Sequence, residues 1–226
     1  GDATSVNGIA SGIKGIVDAA EKAGEEGKLN AAAADGEGNA NAGKLFAKKE
    51  HGANGGGGAE DADKAAAAVS AVSGEQILKA IVDAAKGGDK KAGKKAEAAE
   101  NPIEAAIGGT NEDNAAAAFA KDEMKKDDQI AAAMVLRGMA QGGQFALKNA
   151  DHAKAEKAVK NVVESAVTEI SKWLDEMAKA AAAAASAATG GSEAIGSVIQ
   201  AGGVKAAAGG EAKSVNGIAS GIKGIV

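Results

Sequence analysis

The chain has no cysteine and no tyrosine, one proline, one arginine and one tryptophan. The absence of cysteine excludes disulfides, thiolate catalysis and thiolate metal sites, and with them the lipidated cysteine that anchors a bacterial lipoprotein. The aromatics are Phe46, Phe119, Phe145 and Trp173, too few for a surface that stacks nucleic-acid bases. Lys and Arg together number 26 against 31 Asp and Glu, and the resulting net charge of -5 argues against binding driven by phosphate neutralisation. No nucleic-acid partner is expected. No signal peptide is expected within the residues given, and no apolar run among them reaches the ~18 residues that a membrane helix needs. The chain as given is therefore expected neither to span a membrane nor to anchor to one, and its start at Gly1 reads as that of an excised region.

What is abundant is alanine, with 60 residues against 37 Ile, Leu, Val and Phe together. A chain so poor in large apolar side chains sits below the roughly one-fifth at which disorder becomes a concern. The net charge is low, however, and alanine is the best helix former, so a helical protein with thin, closely packed interfaces is expected. The length suits one domain over residues 1–226.

The stretch least diluted by alanine is MKKDDQIAAAMVLRGMAQGGQFALK, Met124 to Lys148. Asp127 or Asp128 is placed to cap a helix that runs from Ile130 to Met139 with apolar side chains on nearly every face, the pattern of a helix buried all round. Gly142 and Gly143 are expected to stop it, and Phe145 and Leu147 alternate with polar neighbours as in a short strand. Arg137, one charge among apolar residues, is expected to reach a carboxylate inside the fold or to snorkel to the surface.

MKKDDQIAAAMVLRGMA followed by GQFALK closely resembles the invariant segment of the variable large protein and Vmp-like (Vls) family, the antigenically variable surface lipoproteins of Lyme-type spirochaetes. The resemblance implies an outer-membrane surface antigen bound by host antibodies, in which a helical framework carries exchangeable loops. It implies neither enzyme activity nor a cofactor.

Residues 1–17 and 210–226 are nearly one sequence, differing only at Asp2/Glu211 and Thr4/Lys213. A solenoid repeat recurs every ~20–50 residues and several times over, so this duplication reads instead as a cut within a tandem array of similar units. The resemblance agrees, since the family draws its variation from silent cassettes. In the family's expressed order the segments resembling Glu156–Val226 come before the invariant one, so the chain looks cassette-derived and circularly permuted. Within the repeat, Val6, Ile9, Ile13 and Ile16 form a helical stripe beside Gly8, Gly12 and Gly15, a face on which a second helix is expected to pack closely.

Elsewhere the pattern is helix and loop. A short helix around Gly43–Lys49 interrupts a glycine-rich loop from Gly24 to Gly58. Asp61 opens a helix to Val72, Ser73 with Gln76 forms a capping box for Glu75–Lys86, and Asn101-Pro102 with Glu104 starts another that Gly108-Gly109 ends. A loop with a short helix follows over Asn111–Ala120, anchored by Phe119. Asp151 begins the longest helix, whose seam runs through Val159, Val163, Ala166, Ile170, Trp173/Leu174 and Met177 with Glu156/Lys160 and Asp175/Lys179 pairs outside it; the alanine tract after Met177 extends it. A last helix from Ser192 covers Ile195, Val198 and Ile199. The long loops are Gly24–Gly58, Gly87–Ala99 and Ala201–Gly210, with Gly108–Asn114 a shorter one.

The fold class expected is all-α, a helical bundle with long Gly/Ala-rich loops and at most short β segments. Its framework core is expected at Ile130, Met134, Val135, Leu136, Met139, Phe145, Val159, Val163, Ile170 and Trp173. No catalytic, cofactor-binding or metal site is expected: His51 and His152 sit in no ligand-spaced motif, and no GxSxG turn supports a nucleophile. One rival from another class stands beside the antigen reading, an adhesion module whose Lys90, Lys91, Lys94 and Lys95 contact acidic glycans or lipid headgroups. A second alternative is a silent donor cassette with no function of its own.

Overall fold

The structure, a computed structural model, describes residues 1–23, 29–34, 36, 38–47, 55–109, 116–148 and 152–188. Six α-helices lie among them: α1 (Ala3–Ala23), α2 (Ala59–Ser70), α3 (Gly74–Ala84), α4 (Pro102–Ile107), α5 (Asp127–Met139) and α6 (His152–Ala188). Two 3-10 helices, Ala40–Phe46 and Asp122–Lys125, complete the set. The only β feature among the described residues is an isolated parallel bridge between Gly57 and Leu147. The fold is all-α.

Contacts group the chain into two compact units, Gly1–Gly15 with Leu29–Trp173, and Ile16–Lys28 with Leu174–Val226. Helices α1 and α6 each pass from the first into the second. The expected helix from Ser192, the second copy of the repeat, His51 and the Ala201–Gly210 loop lie outside the described residues.

The first unit is built around α5, which packs against α2, α3, α4 and both 3-10 helices. Every residue from Ile130 to Leu136 has 0% exposure. The three alanines in that run bring neighbouring backbones close, which lets few large side chains fill the core. Each of the surrounding helices starts where its own sequence dictates. Ser73 Oγ accepts the Gln76 N–H at 3.3 Å and Gln76 Oε1 accepts the Ser73 N–H at 2.9 Å, so α3 opens on a reciprocal capping box. Asn101 Oδ1 accepts the Glu104 N–H at 3.0 Å and Pro102 takes the first helical position of α4, which ends at Gly108 with φ 82°. Helix α2 begins at Ala59, two residues before the expected Asp61; Asp61 instead accepts the Gly58 N–H at 2.9 Å and the Lys44 ammonium at 2.9 Å.

The start of α5 departs from expectation. Asp127 and Asp128 are its first helical residues, and neither caps it, because the cap position falls on Lys126, which makes no side-chain cap. The carboxylates still lie where the helix dipole favours negative charge; Asp127 Oδ1 accepts from Asn39 Nδ2 at 2.8 Å and Asp128 Oδ1 accepts the Gln129 N–H at 2.8 Å. The chain leaves the helix at Ala140, and Gly142, with φ 67°, completes the turn beyond it.

In α1 the buried apolar residues are Val6, Ala10, Ile13, Val17 and Ala20, a seam at 4 and 3 spacing rotated away from the expected one. Ile9 and Ile16 are half-buried and Gly8, Gly12 and Gly15 are exposed, with no described atom within 4 Å of where a Cβ would sit. The glycine stripe thus lies on the outer side of the helix, not in a helix contact. Helix α6 carries its seam on Ala155, Val159, Val163, Ala166, Ile170 and Met177, all buried. Gly138 leaves room for this helix: a Cβ there would meet Val163 Cγ1 at 2.5 Å. Within the first unit, Glu169 of α6 also accepts the Gly74 N–H at 3.1 Å at the start of α3.

Candidate functional site

Among the described residues no catalytic constellation is assembled, and the candidate site is a buried framework with the surface loops attached to it. Of the expected framework residues, Ile130, Met134, Val135, Leu136, Val159, Val163 and Ile170 are buried, while Met139 and Phe145 are half-buried. Trp173 is a correction. It is 36% exposed, because the seam steps from Ile170 to Met177 and leaves Trp173 on its flank; Leu174 is half-buried.

Arg137 neither reaches a carboxylate nor snorkels. Its side chain is turned inward, where Nε donates to Gln144 O at 2.7 Å and Nη1 to Ala106 O at 3.3 Å. The guanidinium carbon lies 5.3 Å from the Phe46 ring centroid. Burial lowers its pKa to about 10, still well above neutral, so the group stays charged. Phe46 in turn meets Phe119 at 5.3 Å and Phe145 edge-on at 5.9 Å between ring centroids. All three phenylalanines of the chain thus cluster with Phe46 at the centre, under the Arg137 guanidinium, and each aromatic pair contributes about 0.5–1.5 kcal/mol beyond its buried area. The cluster ties the 3-10 helix before α2, the loop before α5 and the loop after α5 to one another.

The N-terminal copy of the repeat packs beside this framework. The Asp2 N–H donates to Gln141 O at 2.9 Å, Ser5 Oγ accepts the Gln141 N–H at 2.9 Å, and Val6 is fully buried. Asn7, also buried, donates from Nδ2 to Lys91 O at 3.0 Å and accepts the Lys91 N–H at 2.8 Å.

Of the four lysines of the 87–99 loop, Lys94 is engaged in ion pairs. Lys94 Nζ lies 3.1 Å from Glu100 and 3.2 Å from Glu104, and these bonds raise its pKa while lowering that of Glu100. Lys90 is exposed, and Lys91 and Lys95 are half-buried. His152 is exposed, with Nδ1 3.5 Å from Glu156, and the Lys160 ammonium lies 3.8 Å from Glu164. A groove of about 810 Å³ runs between Phe145–Leu147 and the start of α6, rimmed by these same side chains. Its mixed rim offers no convergent set of catalytic groups. No single helix among the described residues is long and apolar enough to cross a membrane.

The sequence pattern of the Borrelia lipoprotein family matches residues 1–175. The chain belongs to that family. Among its relatives, variable large protein 17 of Borrelia hermsii is 35% identical over 181 residues, which is 75% of this chain and 46% of that protein. Variable large protein 21 of the same species is 30% identical over 187 residues, 72% of this chain and 49% of that protein. The chain therefore spans about half the length of these relatives. The crystal structure of the Lyme disease variable surface antigen VlsE of Borrelia burgdorferi superposes with a TM-score of 0.72 at 43% identity, covering 98% of this chain and 68% of that one. The family match leaves out residues 176–226, most of the segment whose order is expected to be permuted.

Reasoning from sequence missed Asn7 as a group that bonds the loop at Lys91. The available signal for Asn7 was a polar residue, poor in helix propensity, beside the buried position Val6.

Proposed function

We propose that residues 1–226 serve as one antigenic region of a variable surface antigen, displayed on the extracellular face of the outer membrane and bound by host antibodies. Its part in immune evasion is to keep an unvarying support out of reach while presenting loops whose sequence can be exchanged. That role calls on no catalytic, metal or cofactor chemistry. The observation that supports this most is the contrast between Ile130–Leu136, at 0% exposure, and Lys86–Lys90, exposed at every residue. An antibody needs an accessible surface of several hundred Å², and a helix enclosed by α2, α3 and α4 offers none.

The test uses two antibodies, one raised to a peptide of residues 130–139 and one to a peptide of residues 86–95. On folded protein the second is expected to bind and the first is not; after denaturation both should bind. Equal binding of the first antibody to folded and denatured protein would overturn the proposal.

A further inference from the structure

Loop main chain in the first unit is held by side chains projecting from the helices. Glu75 Oε1 accepts the N–H groups of Asn30 at 2.8 Å and Ala31 at 3.0 Å. Gln76 Nε2 donates to Ala32 O at 2.9 Å. In the 87–99 loop the Asn7 amide pairs with both main-chain groups of Lys91, as one strand pairs with another. The loop side chains themselves point away: Asn30, Ala32, Ala33, Lys90 and Ala92 are exposed.

Every residue but proline offers the same main-chain N–H and C=O, so a holder that grips those groups reads the path of the chain and not its sequence. We propose that Asn7, Glu75 and Gln76 form a sequence-blind clasp, which fixes the path of residues 30–32 and of the loop at Lys91 whatever side chains those loops carry. The clasp explains how loops could be exchanged without refitting the core, and in that purpose it rests on the antigen reading above. Its geometry also marks two positions that are not free. A Cβ on Gly36 would overlap the Asp127 carboxylate, and one on Gly93 would overlap the Gly108 carbonyl oxygen. Those two glycines are expected to stay while their neighbours change.

Residue-resolved amide hydrogen exchange on the full chain tests the clasp without any antibody, so its outcome is separate from that of the antigen proposal. A loop variant, Asn30→Ser with Ala32→Lys and Ala33→Glu, should keep the protection of the amides at 30 and 31 within about threefold, since no clasp bond is altered. Glu75→Ala should lower protection at both amides by about tenfold or more, the scale of a lost hydrogen bond, while Ile130–Leu136 stay protected as proof of folding. Glu75→Gln, which keeps an acceptor oxygen, should restore it. Asn7→Ala should do the same to the Lys91 amide. Loss of protection in the loop variant would overturn the proposal, as would retention of it in Glu75→Ala.

Discussion

Helix α5 and the loop segment 29–34 are both held in place, but through opposite parts of the chain. In α5 the side chains do the holding: Ile130, Met134, Val135 and Leu136 fill the space between α2, α3 and α4, and each is fully buried. In the loop it is the main chain that is held, by Glu75 and Gln76, while Asn30, Ala32 and Ala33 face outward. A packed side chain constrains which residue can stand at its position, because a change of one methylene is felt in a dense core. A gripped main chain sets no such constraint. The two kinds of attachment therefore divide the molecule into a part whose sequence matters and a part whose sequence can move.

The largest expected effect lies in α5. Leu136→Ala should lower stability by about 3 kcal/mol in a urea titration, because the enclosing helices leave a cavity that cannot collapse. A loop substitution such as Lys90→Thr should shift the same titration by less than about 0.5 kcal/mol. Next comes Arg137→Ala, which leaves Gln144 O and Ala106 O without their donor and uncovers Phe46; a loss of about 2 kcal/mol is expected from the same measurement. Lysine should not rescue it, since one ammonium cannot reproduce the planar fork that reaches both carbonyls and lies over the ring.

A smaller effect, of opposite sign, is expected at the outer glycines of α1. Gly12→Ala meets open space and should raise the thermal midpoint by the equivalent of about 0.5–1 kcal/mol. A loss there would mean that the glycine face packs after all.

The finest contrast is in pH dependence. Burial raises the pKa of Asp128 against the hydrogen bonds it accepts, so folding favours its protonated form. Stability due to this group therefore rises as pH falls through the carboxylate range. Asp122 runs the other way: Lys125 holds its pKa down, and the stability this contributes is lost as pH falls. Asp128→Asn, neutral throughout, is expected to be more stable than the parent at about pH 7 and to lose that advantage by about pH 4 in paired thermal melts.

Features set by near neighbours in sequence were legible without coordinates. The Ser73/Gln76 box, the Asn101-Pro102 start and the long seam of α6 are local patterns, each written within one or two helical turns. The all-round burial of α5 was legible too, because its apolar residues leave no polar face to turn outward. What could not be read is what depends on distant pairing. Asn7 meets Lys91 across 84 positions and Arg137 meets Ala106 across 31, and no spacing rule links such residues. Trp173 fails for another reason: a seam of 3 and 4 spacing leaves adjacent positions nearly equivalent, and packing decides between them. Asp127 and Asp128 show a third limit. Either residue suited a cap by type, but the helix begins one residue earlier than such a cap requires.

The absence of cysteine that restricts the chemistry of this chain also allows a clean measurement of its central contrast, since a single introduced thiol is the only one to react. Ala133→Cys places that thiol at a position with 0% exposure in α5, and Lys90→Cys places it on an exposed loop. With a thiol-reactive chromogenic disulfide under native conditions, the Lys90→Cys variant should react at the rate of a free thiol. The Ala133→Cys variant should react at least about a hundredfold more slowly, and catch up only when denaturant unfolds the chain. Equal native rates at the two positions would contradict the account.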